Sequence, residues 1–402
     1  MSELDELSAA PKDALGALDA LVRLLAENAA SVDRQARFPK ENLDALRAAG
    51  YLGLLVPASY GGLGLGLPDL VEVARRLAGG CLSTAMIFAM HCQQVDVLVR
   101  HAAPRLREDL LARIAAGEVY LASVTTGKAT GGHLLTADES LERADPDGPQ
   151  QGDALIRFRR EAPVVTGGAH ADGFLITMGD GAGQAEHAVS LVYADRADLA
   201  VDGAGPWNPL GMRATASGAL TLTGTIRADQ VVGPPGGFRA VALDSMIPVG
   251  HLAWSACWLG AAQAVFSALL RHLAREGRTD LSSPLVRERI ARIRVDLELV
   301  SAYLARVCEE VERGRARGAR GDAPSFQIHL NSLKIAASEL TYRAVDRMVQ
   351  LAGLSLGYGV DSPLPLERAL RDLRSAALNY SNDRLWTATG ALCLLDRKVS
   401  LL

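Results

Sequence analysis

The residues that could do chemistry are dispersed along this chain, without a standard catalytic motif. No GxGxxG follows a predicted strand and GxxxxGK is absent, so neither a Rossmann nor a P-loop nucleotide site is predicted. The five cysteines have no CxxC pair and no metal-ligand spacing, which indicates buried free thiols and no metal site. They are Cys81, Cys92, Cys257, Cys308 and Cys393.

Residues 207–218 (WNPLGMRATASG) form the most informative segment, and the alternating residues 219–223 follow it directly. Taken alone, this pattern predicts a polar loop before a half-buried strand. It closely resembles the LGMR-x-T-x-S signature of the acyl-CoA dehydrogenase superfamily. In that family the loop joins two strands of a central β-domain beside a flavin. The resemblance implies flavin chemistry, and Arg213 within the motif becomes a substrate-binding candidate.

Hydrophobic periodicity divides the chain into three parts. Before residue 118 apolar residues recur at intervals of three and four, then the interval becomes two, and after about residue 232 the helical interval returns in long segments. We therefore predict an α+β fold with an N-terminal helical domain (1–118), a central β-barrel-like domain (119–232) and a C-terminal four-helix bundle (233–402). The acyl-CoA dehydrogenases have this order of domains.

Two segments of the predicted β-domain resemble flavin-contacting strands of that family. Residues 124–133 resemble its TEPGAGSD strand-loop, although the acidic residue and the proline after Thr125 are absent. Residues 165–172 match the ITNG…AD strand, which implies that Thr166 hydrogen-bonds the flavin near N5, where a donor raises electron affinity. Val164 replaces the usual Trp, which implies a wider or wetter site. The flavin-contact candidates here are Thr125, Thr126, Val165 and Thr166.

The resemblance further implies FAD bound across the subunits of a homo-oligomer, either a dimer or a tetramer. Arg278 aligns with the arginine that binds the pyrophosphate of a neighbouring subunit's FAD, a role suited to a bidentate guanidinium. A solvated arginine at a helix end is the alternative. Residues 350–358 resemble the Q-x-x-G-G-x-G-Y turn near the adenosine. The candidates in the C-terminal part are Arg278, Leu281, Gln350, Gly353, Ser381 and Asp383.

The usual catalytic base of this family is missing. A dehydrogenase of acyl thioesters needs a base for the α-proton, and a carboxylate beside an apolar pocket can serve. Residues 365–374 match the family's P-x-E-R-x-x-R-D-x-R motif, but residues 375–381, where the Glu is expected, contain no carboxylate. A minority of members place the Glu at the position of Gly250. The nearest acids are Asp244 and Asp383.

The polar residues near these empty positions are the remaining catalytic candidates. Family members that diverged from dehydrogenation, such as the dibenzothiophene monooxygenase type, carry a His, Asn or small polar residue in this segment, and Asn379 and Tyr380 fit that pattern. His91 lies on a helix that faces the flavin in relatives, although a lone histidine on an apolar helix is more often structural. His251, where Arg is common, is a substrate-binding candidate.

Three functions remain open. The first, which the FAD-anchoring elements favour, is an FAD-dependent oxidoreductase that dehydrogenates an acyl thioester on CoA or a carrier protein with an atypical base, passing electrons to an electron-transfer protein. The second is a two-component monooxygenase that uses reduced flavin from a flavin reductase and O2 on an aromatic or amine substrate. The third is a non-catalytic FAD-binding oligomer.

Composition restricts the partners and the location. The formal net charge of -4 gives no reason to expect nucleic acid or an anionic membrane as a partner. Residues 246–270 contain no charged side chain, but Pro248, Gly250 and polar residues interrupt them, so we expect a helix buried in the bundle and no membrane span. The acidic N-terminus lacks an apolar signal segment, and the dispersed cysteines suit a reducing compartment, so we expect a cytoplasmic protein.

Overall fold

The computed structural model describes residues 17–127, 134–137, 139–144, 154–180, 188–277, 279–319 and 321–402. Five α-helices come first within these residues, each with an apolar face towards its neighbours. Local signals set their ends: the Asp69 carboxylate, for example, accepts the Gly66 N–H at 3.0 Å, which caps the third helix. The helices are α1 (Leu18–Gln35), α2 (Lys40–Ala48), α3 (Leu67–Gly80), α4 (Leu82–His101) and α5 (Pro104–Ala115).

The middle of the described chain forms two four-stranded sheets. The strands are β1 (Leu121–Val124), β2 (Glu142–Arg143), β3 (Leu155–Ala162), β4 (Gly173–Gly179), β5 (Val189–Asp195), β6 (Leu199–Ala204), β7 (Ala219–Arg227) and β8 (Val231–Val232). One sheet has the order β1-β4-β5-β8 and the other β2-β3-β7-β6. Only β1 and β4 pair in parallel among these strands, with Leu121 opposite Gly173.

The described C-terminal part is helical. Its helices are α6 (Phe238–Val241), α7 (Ile247–Glu276), α8 (Pro284–Ala316), α9 (Pro324–Gly353), α10 (Leu366–Arg374) and α11 (Asn382–Cys393). A π-helical turn, Ala242–Met246, joins α6 to α7. The predicted α+β fold with helical, β-sheet and helical domains is confirmed. No element was predicted at β6, a short strand containing Gly and Asp, or at α10, an amphipathic helix of only nine residues.

Helices α4 and α7 pass through the centre of the protein. Nearly every residue of α4 is buried, and α7 packs against α3, α4 and α9. By length and composition alone, residues 82–101 and 238–276 could each cross a membrane, but most of each segment is buried inside the protein. Their apolar surface is thus used in the core, which removes it from water and stabilises the fold.

The loop at residues 207–218 is held against α10 by a buried carboxylate. The Met212 N–H donates to Asp372 Oδ1 at 2.6 Å, and the Arg371 guanidinium donates to the Leu210 carbonyl at 3.1 Å. Arg371 also binds Asp33 of α1, with 2.7 Å between Nη2 and Oδ2. Burial raises the pKa of Asp372 to about 6. This cluster joins the first helix, the β-domain and the bundle, and we call it the interdomain clamp.

Gly211 has no room for a side chain because α10 lies directly against it. A Cβ added there would lie 2.0 Å from the Arg371 carbonyl oxygen. The obstacle is backbone, which cannot rotate away as a flexible side chain can, so any larger residue at this position must displace the helix or the loop.

We therefore predict that Gly211→Ala lowers the free energy of unfolding by about 3 kcal/mol, because α10 must move. The control is Gly314→Ala in α8, where an added Cβ meets nothing within 4 Å, so Ala should be neutral or stabilising by up to about 1 kcal/mol. Urea denaturation of both variants measures the difference. Equal stability of the two variants would show that the loop does not depend on its contact with α10.

Candidate functional site

A cleft lies where the N-terminal helices, the β-domain and the bundle meet. It consists of two adjoining compartments of about 270 and 430 Å³, a size typical of small-molecule sites. Helix α4, the loops after β1 and β3, and the turn between α10 and α11 contribute to both compartments. Residues common to the two compartments include Met90, Thr126, Val164, Thr166, Asn379 and Tyr380.

Neutral hydroxyl groups from the β-domain form one wall of the cleft. Thr126 donates to the Val164 carbonyl at 2.9 Å, which ties the loop after β1 to the loop after β3. Ser217, from the loop before β7, lies 3.1 Å from Thr166 Oγ1 and 2.8 Å from Thr215 Oγ1, so three hydroxyl groups form a chain that ends at the cleft. Val164 is 42% exposed. Hydroxyl donors beside an open apolar surface fit a flavin ring, and Thr125, Thr126 and Thr166 would hold it.

The turn at residues 375–381 forms the opposite wall. The N–H groups of Leu378 and Asn379 both donate to the Ser375 carbonyl at 2.9 Å, and Tyr380 has a left-handed φ of 52°. Burial raises the pKa of the Tyr380 hydroxyl. The sequence-predicted residues Asn379, Tyr380 and Ser381 thus all line the first compartment.

A buried lysine fixes this turn from behind. Lys334 of α9 is fully buried, and its Nζ donates to the Ala376 carbonyl at 3.0 Å and to Asn382 Oδ1 at 2.7 Å. The ammonium also lies 5.6 Å from the centre of the Trp258 ring, within cation–π range. Burial lowers the pKa of Lys334 to about 7. The turn is therefore held by an amino group that the protein interior makes costly to charge.

His251 presents an uncharged ring to the cleft. Its Nδ1 lies 3.2 Å from the Leu330 carbonyl, so Nδ1 carries the hydrogen and Nε2 is the acceptor. Burial, with a further effect from the charge of Lys334, lowers the pKa of His251 to about 3. Ile247, His251 and Trp254 line the first compartment at the spacing of one helix face. The predicted substrate-binding candidate His251 is therefore in the cleft as a neutral group.

The catalytic candidate His91 and the substrate-binding candidate Arg213 make hydrogen bonds within the fold and do not line the cleft, contrary to the expectation from sequence. His91 lies behind the cleft wall: Nε2 is 2.9 Å from the Leu52 carbonyl and Nδ1 accepts the Leu121 N–H at 3.0 Å. Burial lowers its pKa to about 4, so it is a neutral structural residue. Arg213 donates to the Asp33 carbonyl and to Asn208, so its guanidinium braces the loop and does not line the cleft.

The remaining cofactor candidates that the structure describes do not line the cleft of this chain. Val165 is buried in the β-domain core, and Asp383 is exposed on the first turn of α11. Leu281, Gln350 and Gly353 are exposed on the bundle. Arg278 lies outside the described residues. A contact from these bundle residues to a flavin in a neighbouring subunit stays a prediction.

Sequence reasoning missed Trp254, Gln93 and Lys334. Trp254 was detectable, because it follows His251 by three residues and so lies on the same helix face. Gln93 follows Met90 by three residues on α4 and lines the first compartment with it. Lys334 carries no sequence signal, since its role depends on a turn more than 40 residues away.

We predict that deprotonation of Lys334 increases the free energy of unfolding as the pH rises from 7 towards 10.5. Its pKa is lowered in the folded state, so on acidification the unfolded chain takes up this proton first, and the associated stability is lost as the pH falls towards 7. Urea denaturation between pH 7 and 9 should show this gain for the wild type, at most about 1.4 kcal/mol per pH unit.

Lys334→Met should remove that gain, whereas Lys398→Met, at an exposed position, should retain it. The same pH dependence in wild type and Lys334→Met would contradict the assignment.

Comparison with known proteins identifies the family. Residues 17–118 match the family model for the acyl-CoA dehydrogenase N-terminal domain, and residues 237–378 match the model for its C-terminal domain. Together the two matches cover more than half of the chain. They include α1 to α5 and the described bundle from α6 to α10, which supply much of the helical lining of the cleft.

The names of individual relatives state different activities. A putative acyl-CoA dehydrogenase of Bacillus subtilis is 24% identical over 376 residues, covering 89% of this chain and 90% of that protein. Amino sugar nitrososynthase of Streptomyces peucetius is 26% identical, covering 87% and 84%. The FMN-bound dibenzothiophene monooxygenase of Paenibacillus sp. A11-2 superposes with a TM-score of 0.83 at 19% identity, covering 96% and 97%. This chain belongs to the acyl-CoA dehydrogenase family, whose members are flavin-dependent oxidoreductases.

Proposed function

We propose that this protein is a flavin-dependent monooxygenase that acts on a small molecule bound in the cleft. The observation that carries the proposal is the absence of carboxylates: no Asp or Glu among the described residues lines either compartment. Dehydrogenation of an acyl thioester needs a base that removes the α-proton. Oxygen insertion does not need a carboxylate at that position, so a cleft without carboxylates favours it.

A neighbouring amide fills the position that a minority of the family uses for the base. A Cβ added at Gly250 would lie 2.4 Å from Nε2 of Gln93, which itself donates to the Met246 carbonyl at 2.5 Å. The Gln93 amide therefore occupies the space that an acidic side chain at residue 250 would need. An acidic side chain at residue 250 would therefore have to displace the end of the Gln93 side chain.

The nearest acids are held away from the cleft. Asp244 is paired with His101 and with Arg100, whose Nε lies 2.8 Å from Oδ2, and these contacts hold the pKa of the carboxyl well below its usual range. Asp383 is exposed on α11. His251 is a weak proton acceptor because burial lowers its pKa to about 3. None of these groups is suited to remove an α-proton from a ligand in the cleft.

The proposed cofactor is a flavin bound at the cleft wall that the β-domain threonines form. A reduced flavin held by Thr125, Thr126 and Thr166 would supply two electrons to O2, so that one oxygen atom enters the substrate and the other leaves as water. Because no carboxylate lines the described part of the cleft, a cationic ligand would find no counter-charge there. Because the sequence has no GxGxxG motif, we expect a separate flavin reductase to provide reduced flavin.

The proposal also includes FAD as the flavin, a homo-oligomer and a cytoplasmic location. Gln350 and Gly353 are exposed at the end of α9, where the flavin of a second subunit would reach them. Their exposure supports this part of the proposal, and the FMN of the Paenibacillus monooxygenase is the alternative.

Dehydrogenation of an acyl thioester is the second candidate function. The similarity to a putative acyl-CoA dehydrogenase favours it, as does the larger compartment, where Met86, Trp207 and Trp258 offer an apolar surface to an acyl chain. Its base would have to come from a group outside the described lining, such as Asp383 after a movement of α11 or a carboxylate of another subunit.

We predict that acyl-CoA thioesters will not reduce the flavin of this protein. Anaerobic titration with butyryl-CoA and octanoyl-CoA should leave the visible flavin band unchanged, because no base contacts the α-carbon. Reduced protein mixed with 18O2 and a panel of aromatic substrates should give product that contains 18O. Bleaching by a thioester would favour the second candidate, and loss of that bleaching in Asp383→Asn would identify its base.

A further inference from the structure

Trp254 carries a buried hydrogen-bond donor with no acceptor. Its side chain is 8% exposed and lines the first compartment, and its indole Nε1 has no hydrogen-bond partner among the described residues. Buried indole N–H groups in folded proteins usually have a partner, and one that is left unpaired costs free energy. The N–H group is itself buried at the cleft wall, so a ligand reaches it when the indole ring turns that edge into the compartment.

His251 supplies the complementary acceptor on the same helix face. Its Nδ1 is committed to the Leu330 carbonyl, so the Nε2 lone pair is the group left for a ligand. The rings of His251 and Trp254 are 5.9 Å apart between centroids, and the Tyr380 ring packs edge-on against His251 at 5.7 Å. A donor and an acceptor therefore lie side by side among aromatic surfaces.

Two other polar side chains from the helices around the compartment do not replace this pair. Both ends of the Gln93 amide are used, since Nε2 donates to the Met246 carbonyl and Oε1 accepts from Gln94 at 3.2 Å. Arg384 also lines the compartment, but a guanidinium can only donate. No carboxylate among the described residues lines it, which leaves an ammonium ligand without a counter-charge. The compartment suits a neutral aromatic group that both accepts and donates one hydrogen bond.

We propose that Trp254 and His251 bind the hydroxyl of a neutral phenolic substrate. The phenol oxygen accepts from Trp254 Nε1, and the phenol hydrogen is donated to His251 Nε2, so the hydroxyl satisfies both groups at once. The ring then packs among Trp254, Tyr380 and Ile247. This inference rests on the proposed function, because it names the substrate class of the same cleft.

Binding of three ring compounds to the flavin-loaded protein tests this assignment without any turnover. Phenol can donate and accept, anisole can only accept, and toluene can do neither. We expect phenol to bind roughly tenfold more tightly than anisole, and toluene to bind more weakly than either. Calorimetry and the perturbation of the flavin spectrum measure the three dissociation constants. Equal affinities for phenol and anisole would overturn the proposal.

A pair of matched tryptophan variants locates the donor. Trp254→Phe removes the N–H and keeps a ring, so phenol affinity should fall roughly three- to tenfold while toluene affinity changes little. Trp386→Phe is the control, because Trp386 is 54% exposed on α11 and outside the cleft. Unchanged phenol affinity in Trp254→Phe would also overturn the proposal.

The binding result and the proposed function can fail separately. Selective binding of phenol without incorporation of 18O would leave the hydroxyl site intact and refute the monooxygenase. Incorporation of 18O by a protein that binds phenol and anisole equally would support the monooxygenase and refute the hydroxyl site. The affinity ratio of the three compounds does not require that any variant folds, since it is measured on the wild type.

Discussion

The geometry of the cleft depends on the interdomain clamp. Asp372 accepts the Met212 N–H at 2.6 Å inside the protein, and Arg371 binds Asp33 at 2.7 Å, so three distant parts of the chain meet at α10. The cleft wall at residues 375–381 begins immediately after α10. A shift of α10 would therefore move Asn379 and Tyr380 relative to the threonines of the β-domain. Truncating one partner of a buried charged contact is costly, which favours a single arrangement.

Burial explains why the centre of the cleft suits a neutral ligand. Its walls come from helices in the middle of the protein, where an unpaired charge is expensive. His251 is consequently uncharged, and Lys334 behind the wall is held by a carbonyl, an amide oxygen and an aromatic ring, with no carboxylate among these partners. Such a site can orient a neutral ligand through hydrogen bonds.

The sequence predicted the fold more fully than the site, for physical reasons. Long helices such as α4 and α7 are apolar over 20 and 30 residues, whereas α10 is an amphipathic helix of only nine residues. A motif locates a residue along the chain but does not give its partners. Arg213 lies in a family motif and His91 lies on a helix that faces the flavin in relatives. Hydrogen bonds within the fold nevertheless use their polar atoms. The Gln93 side chain that fills the space beside Gly250 comes from another helix, so no local pattern contains it.

A crystal structure of the protein with bound flavin and phenol would test the central claim most directly. The distance to measure runs from each carboxylate oxygen, in this chain or a neighbouring subunit, to the nearest ligand atom. Our account predicts that the flavin ring contacts Thr125 and Thr166 and that no carboxylate lies within the roughly 3 Å needed for proton transfer. An Asp or Glu in contact with the ligand would contradict the account and restore the dehydrogenase as the better explanation.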